Sequence, residues 1–462
     1  MPVQALHQLP PGFLWGTATA AHQVEGDNVN DWSRWEQQGG GHVFGDHQAG
    51  RACEWWAGRY EEDFDRALDM HNNALRFSIE WSRIEPQIDQ WDHAALDRYR
   101  EMLKALLARG LQPMVTLHHF SNPLWLVDRG GWQWQDAPMR FEKYVRHIVG
   151  ALGDLCTLWC TINEPIVLAA QGYSLGRWPP GVKSRRALTE VVANLIRGHA
   201  AAYHAIKAMQ PGSSVGYATH QVGFQAAPPR LINGFAQRFM HNSFNRVFEF
   251  ALRDGILRAV GSRNIHIPQA KNALDWVGLQ YYQEFRVNFD LRTPSTFFLN
   301  PTKPTDMLVG PGQWGGIYPE ALFDQIKAMH KLFGKPIYIT ECGVPDRADI
   351  LRPNYLVKSV RAVWKAANFN FPVRGFFFWS LLDNFEWAEG YDPRFSFGLY
   401  ETDFATQKRT ARRSAALYGE VCANNGLSAD MVARYTPELS AELFPGEAAV
   451  DGVRIAARPA NG

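Results

Sequence analysis

In Val373-Arg374-Gly375-Phe376-Phe377-Phe378-Trp379-Ser380-Leu381, the residues from Gly375 to Trp379 are apolar consecutively rather than alternately. A strand with one face in water alternates, so a continuous run of this length belongs to a strand covered on both faces, as in a parallel sheet. Working outward from it, seven further short runs of β type recur at 13–20, 74–81, 112–119, 157–164, 214–221, 275–282 and 336–341. Amphipathic intervals expected to be helical lie among them at 54–70, 94–109, 137–152, 189–209, 319–333, 354–368 and 410–423. Asp92 and Asp136 are expected as N-caps, and Gly110 as a stop after Arg109. Eight strands with helices between them predict an α/β fold, a single (β/α)8 TIM barrel whose long βα loops form the rim of a site.

The chain has 462 residues, which would suggest about three domains, but one barrel with insertions reaches this size. No linker divides residues 1–425, which are read as one catalytic domain. Residues 426–462 are richer in Ala, Pro, Glu and Gly and are read as a C-terminal tail, surface-packed or partly disordered. Lys plus Arg at 47 against Asp plus Glu at 46 gives no electrostatic case for nucleic acid or an anionic membrane. A neutral small molecule fits better. The five cysteines are odd in number and not spaced like a zinc site, which predicts reduced thiols in a cytoplasmic protein. No basic region precedes an apolar N-terminal stretch, and no long apolar run occurs anywhere. The oligomeric state is left open.

In such a barrel the C-terminal ends of the strands line one pocket, so the residues there decide the chemistry. They are unusually polar. The first strand leads into His22-Gln23, the second carries Arg76, and the third ends in His118-His119. The fourth ends in Asn163-Glu164, the sixth in Gln280-Tyr281-Tyr282, the seventh in Glu341, and Trp379 is followed by Asp383 to Trp387. Each has an ordinary explanation alone: a cap, a satisfied histidine, a structural ion pair, a core indole. Together they are costly to bury unless they bind one another or a polar ligand. A sugar is such a ligand, with hydroxyls for the polar groups and a C–H face for Trp379. Glu164 and Glu341 add two carboxylates facing one cleft, the minimum equipment for cutting a glycosidic bond. One must hold its proton for the leaving oxygen while the other stays ionised.

Over residues 10–425 the chain resembles glycoside hydrolase family 1, the β-glucosidase family. The matching blocks are Phe13-Leu14-Trp15-Gly16-Thr17-Ala18-Thr19-Ala20-Ala21, Arg76-Phe77-Ser78-Ile79 with Trp81-Ser82-Arg83, Thr161 to Pro165, Ile339-Thr340-Glu341, and Trp379 to Trp387. The resemblance implies a retaining β-glycosidase, with Glu164 as general acid and base and Glu341 as nucleophile. It implies that Asn163 binds the 2-hydroxyl, and Gln23 and His119 the 3- and 4-hydroxyl side. Glu386 and Trp387 would take the 4- and 6-hydroxyl side over Trp379 as floor, and Arg76 and Tyr282 would orient Glu341. A retaining pair implies a carboxyl separation of ~5–5.5 Å. No cofactor and no metal are expected, although His42 and His47 lie in a Gly- and His-rich segment, 27–52.

Three positions depart from the family pattern: Phe120 for a Trp, Gln280 for an Asn, and Cys342 for an Asn. Phe120 loses an indole N–H, which would loosen glycone selectivity. Because Glu386 is present, a 6-phosphorylated sugar would meet a repelling carboxylate, so an unphosphorylated glycone is expected. Glucose leads, with galactose and fucose as alternatives. Trp178, in loop 172–181, and Trp314, in loop 289–316, are aglycone-stacking candidates. The expected activity is a broad-specificity β-glucosidase; alternatives are β-galactosidase, β-fucosidase or transglycosylase on the same machinery. A non-catalytic sugar-binding barrel would be expected to have lost a carboxylate.

Overall fold

The computed structural model describes residues 5–259, 261–293 and 299–445. Eight parallel strands form the barrel: β1 (Leu14–Ala18), β2 (Ala74–Ser78), β3 (Gln112–His118), β4 (Leu158–Asn163), β5 (Ser214–Ala226), β6 (Trp276–Phe289), β7 (Ile337–Cys342) and β8 (Val373–Trp379). Each pairs with the next, and β8 returns to β1 with Gly375 opposite Leu14 and Trp379 opposite Ala18. Closure removes every free edge. The helices that cover the sheet are α1 (Tyr60–Asp69), α2 (His93–Ala108), α3 (Ala137–Leu152), α4 (Arg185–Met209), α5 (Arg230–Asn245), α6 (Leu322–Phe333), α7 (Arg352–Asn368) and α8 (Arg413–Ala423). Because both faces of the sheet are covered, β2 and β4 are buried at every residue.

Local chemistry sets several boundaries. Asp92 accepts from the Ala95 N–H at 3.0 Å and starts α2, and Gly110 takes φ 72° just beyond it. Asp136 makes no side-chain cap, and the start of α3 relies on Pro138, whose missing N–H needs no partner. The interval expected as one helix from residue 54 opens with a wide turn, Trp55–Arg59, broken at Gly58 (φ 104°) before α1 begins.

Two strands run longer than expected. β5 and β6 continue past residues 221 and 282 because they pair with each other beyond the barrel, from Gly223 opposite Glu284 to Ala226 opposite Val287. Leu299–Thr302 adds an antiparallel strand to β6. This extension has its own small core of Val222, Phe224, Ala236, Val287 and Leu299, onto which α5 packs. Helix α5 was not expected from the sequence, since apolar residues lie on its outer side as well and blur the helical period.

Residues 426–445, the described part of the expected tail, pack onto the barrel. Gly426–Ser428 pairs antiparallel with Leu6–Gln8, and Leu427, Met431 and Val432 join the main core. Residues 446–462 lie outside the described residues. No described helix is long and apolar enough to cross a membrane.

Candidate active site

The strand ends open into one cavity of about 1520 Å³. Glu164 and Glu341 both line it, together with His119, Phe120, Asn163, Trp178, Tyr282, Trp314, Trp379, Glu386 and Trp387. Gln23 and Arg76 stand behind this lining, each bonded to a residue in it.

Glu341 lies near the end of β7, opposite Gln280 of β6 where the register slips. Its two oxygens are held separately: Arg76 donates to Oε1 at 2.5 Å, and the Tyr282 hydroxyl donates to Oε2 at 2.6 Å. Arg76 is fully buried, and a buried guanidinium requires such partners. Its other terminal nitrogen donates to Asn163 Oδ1 at 2.6 Å, and Gln280 donates to the same oxygen at 2.8 Å. Two donors on one oxygen fix the amide's orientation and turn Asn163 Nδ2 away from both. Gln280 thus uses its extra methylene to reach Asn163.

Glu164 follows β4 with left-handed backbone, φ 41° and ψ 59°, an unfavourable state for a residue with a Cβ. The strain is held by its N–H, which donates to Ala218 O at 2.8 Å, and by Pro165, which starts a short helix. Glu164 Oε1 lies 2.8 Å from His220 Nδ1, and the His220 ring stacks on Tyr282 at 5.6 Å. One imidazole therefore touches both Glu164 and the donor to Glu341. His220 is absent from the sequence reading, although it stands at the end of the fifth expected strand.

Burial pushes the Glu341 carboxyl up to about 7, opposed by Arg76, aided by the charge of Glu164, and opposed again by the Tyr282 hydrogen bond. Glu386 is pushed well above the carboxylate range by burial and by the charges of Glu341 and Glu389. Gln23 Nε2 donates to Glu386 Oε2 at 3.2 Å and to Phe385 O at 2.8 Å. Burial holds His119 well below the usual imidazole range, so it is neutral.

Several buried polar atoms around the cavity have no hydrogen-bond partner among the described residues: Gln23 Oε1, His119 Nδ1, Asn163 Nδ2, Gln280 Oε1 and Asn384 Nδ2. A ligand that supplies donors and acceptors would satisfy those of them that reach the cavity.

The model for glycosyl hydrolase family 1 matches residues 5–427. The chain belongs to glycosyl hydrolase family 1. This family 1 glycosidase is 32% identical over 455 residues to β-glucosidase A of Thermotoga maritima, covering 91% of this chain and 99% of that one. It is 30% identical to a β-galactosidase of Pyrococcus woesei, over 91% of this chain and 98% of the other. The β-glycosidase structure from Pyrococcus horikoshii superposes with a TM-score of 0.86 at 34% identity, covering 93% of this chain and 98% of that one.

The remaining sequence candidates of this family 1 glycosidase fall as follows. Trp178 packs edge-on against Phe120 at 4.9 Å and lies 6.0 Å from Trp387. Trp314 stands edge-on to Tyr282 at 5.5 Å. His42 stacks on Trp35 at 3.9 Å, and His47 Nδ1 accepts from the Tyr391 N–H at 3.0 Å. Cys342 is buried beside Tyr355 and Ser359, and burial pushes its thiol up to about 11, the opposite of a reactive thiolate. Within loop 289–316, residues 294–298 lie outside the described residues.

Proposed function

We propose that this family 1 glycosidase is a retaining β-glucosidase of broad specificity that removes terminal β-D-glucosyl residues through a glycosyl-enzyme. The observation that carries it is the pair Glu164 and Glu341 on one cavity, with both oxygens of Glu341 held by Arg76 and Tyr282. A guanidinium and a phenol face Glu341 and favour its charge against the burial that raises its carboxyl, which leaves Glu164, bonded to His220, as the acid.

Glu341 attacks the anomeric carbon and the glycosidic C–O bond breaks as Glu164 passes its proton to the departing oxygen. Glu164, now a carboxylate, takes a proton from the incoming water, whose oxygen displaces Glu341 from the same carbon. Two displacements restore the β configuration. The unpartnered atoms of Gln23, His119 and Asn163 would take the glycone hydroxyls, with Glu386 and Trp387 at the far edge and Trp379 beneath the ring. An unphosphorylated glycone is favoured, since the buried Glu386 offers a 6-phosphate no cation. Trp178 and Trp314 would border the aglycone. Five unpaired, buried cysteines support a cytoplasmic setting.

The test uses 4-nitrophenyl β-D-glucoside with the galacto, fuco and 6-phosphogluco analogues. Glu341→Gly abolishes turnover by more than about a thousandfold, and azide then yields the α-glucosyl azide after a single inversion. In Glu164→Ala, azide intercepts the glycosyl-enzyme and yields the β-azide. A first-formed α-glucose product from the wild type, followed by NMR, would overturn the retaining reading.

A further inference from the structure

The two carboxyls of the site are held in different ways. Glu341 has a donor on each oxygen, Arg76 on one and Tyr282 on the other. Among the described residues, only His220 hydrogen-bonds the carboxyl of Glu164, through Nδ1 to Oε1 at 2.8 Å, and Oε2 is left to the cavity that Glu164 lines. A nucleophile needs its charge held and aimed. An acid that later serves as base needs one oxygen fixed and the other at liberty, because its proton must leave and return at the same place in every turnover.

His220 is itself firmly placed. It stands on β5 opposite Gln280 of β6, the residue that donates to Asn163. Its ring stacks on Tyr282 at 5.6 Å and 15°, and meets the ring of Phe244 on α5 edge-on at 6.4 Å. The carbonyl of Ala218, two residues earlier on β5, accepts from the Glu164 N–H. One strand therefore grips Glu164 both at its backbone and at its carboxyl. The His220 and Glu164 side chains are only 11% and 9% exposed, so water competes little for the bond between them. Without that bond, a glutamate side chain rising from left-handed backbone would be free to sample several rotamers.

We propose that His220 is the positioning residue of the acid–base carboxyl: its Nδ1–H donates to Glu164 Oε1, which assigns the travelling proton to Oε2. This rests on the glycosidase reading above and adds a residue to its machinery. In the first step the Oε2–H bond breaks and the proton joins the glycosidic oxygen as that oxygen parts from the anomeric carbon. In the second, Oε2 takes a proton from the attacking water. His220 keeps its own proton throughout.

The experiment compares His220→Phe, which keeps a ring against Tyr282 but has no N–H, with His220→Asn, which returns an N–H close to the place of Nδ1. His220→Leu replaces the first if a phenyl ring prevents folding. The substrates are phenyl β-D-glucoside, whose leaving oxygen needs a proton, and 2,4-dinitrophenyl β-D-glucoside, whose leaving group departs without one. In His220→Phe, kcat/KM for the phenyl glucoside falls roughly ten- to a hundredfold. For the dinitrophenyl glucoside kcat and KM fall together, since only the second step then waits on Glu164, and kcat/KM stays within about threefold of the wild type. His220→Asn recovers most of the activity on the phenyl glucoside. In a Glu164→Ala background His220→Phe costs nothing further, as it must if it acts through that carboxyl. Equal losses of kcat/KM on both substrates, no loss on either, no recovery in His220→Asn, or an additive loss in the Glu164→Ala background overturns the proposal while leaving the glycosidase reading intact. A wild type that cleaves neither glucoside removes that reading, and this one with it.

Discussion

Tyr282 spends its one hydrogen on Glu341, and that hydrogen bond favours the ionised carboxylate. Removing it in Tyr282→Phe disfavours the charge, so the Glu341 pKa rises and the acid limb of the kcat/KM profile moves to higher pH. Activity near neutrality falls roughly ten- to a hundredfold, as expected for a hydrogen bond to a charged group. An acid limb unmoved in pH-rate measurements would detach Tyr282 from the titration. Residues at this scale are legible where a polar side chain ends an apolar run, as Glu164 and Glu341 do, or interrupts one, as Arg76 does. The role of Gln280 was not legible, because what it does is orient Asn163 across two strands. His220 ends the fifth expected strand, so its place was legible; its partner, 56 residues away, was not.

Between elements, fit is set by small residues opposite large ones. A Cβ on Gly216 of β5 would come within 2.4 Å of both the Trp276 ring and the Trp276 carbonyl oxygen on β6. Neither can give way inside a closed barrel, so Gly216→Ala costs about 1–3 kcal/mol, read as a lower urea midpoint at unchanged m-value. Near the cavity, a Cβ on Gly343 would come 2.0 Å from the Trp379 carbonyl, so the ends of β7 and β8 approach as closely as their backbones allow. The eight strands and seven of the covering helices were readable from runs of apolar residues and their period. Helix α5 was not, since Leu231, Ile232 and Phe235 turn outward while Ala236 turns inward. The overshoot of β5 and β6 was hidden too, because only their mutual pairing extends them.

In the whole molecule, the two ends of the described chain are tied together: Leu6 stands opposite Ser428 and Gln8 opposite Gly426. Ending the chain after Asn425 would remove that strand and strip Leu427, Met431, Val432, Leu439 and Phe444 from the core they share with the barrel. Each buried apolar side chain is worth about 1.5–3 kcal/mol. The truncated protein is expected to lose on the order of 10 °C in Tm or to be recovered insoluble, as thermal melting and fractionation would report. A Tm equal to that of the full chain would mean these residues only decorate the barrel. Composition marks the segment as a tail, surface-packed or partly disordered, and its described residues pack against α7 and α8. The barrel's closure also has a consequence in time. On the ribosome, β1 emerges well before its neighbour β8, which lies far along the chain. At about 5–20 residues per second the free edge of β1 waits on the order of tens of seconds for Val373–Trp379. Throughout that interval the nascent chain carries an open, apolar strand edge, and its survival depends on whatever shields it until the circle can be drawn shut.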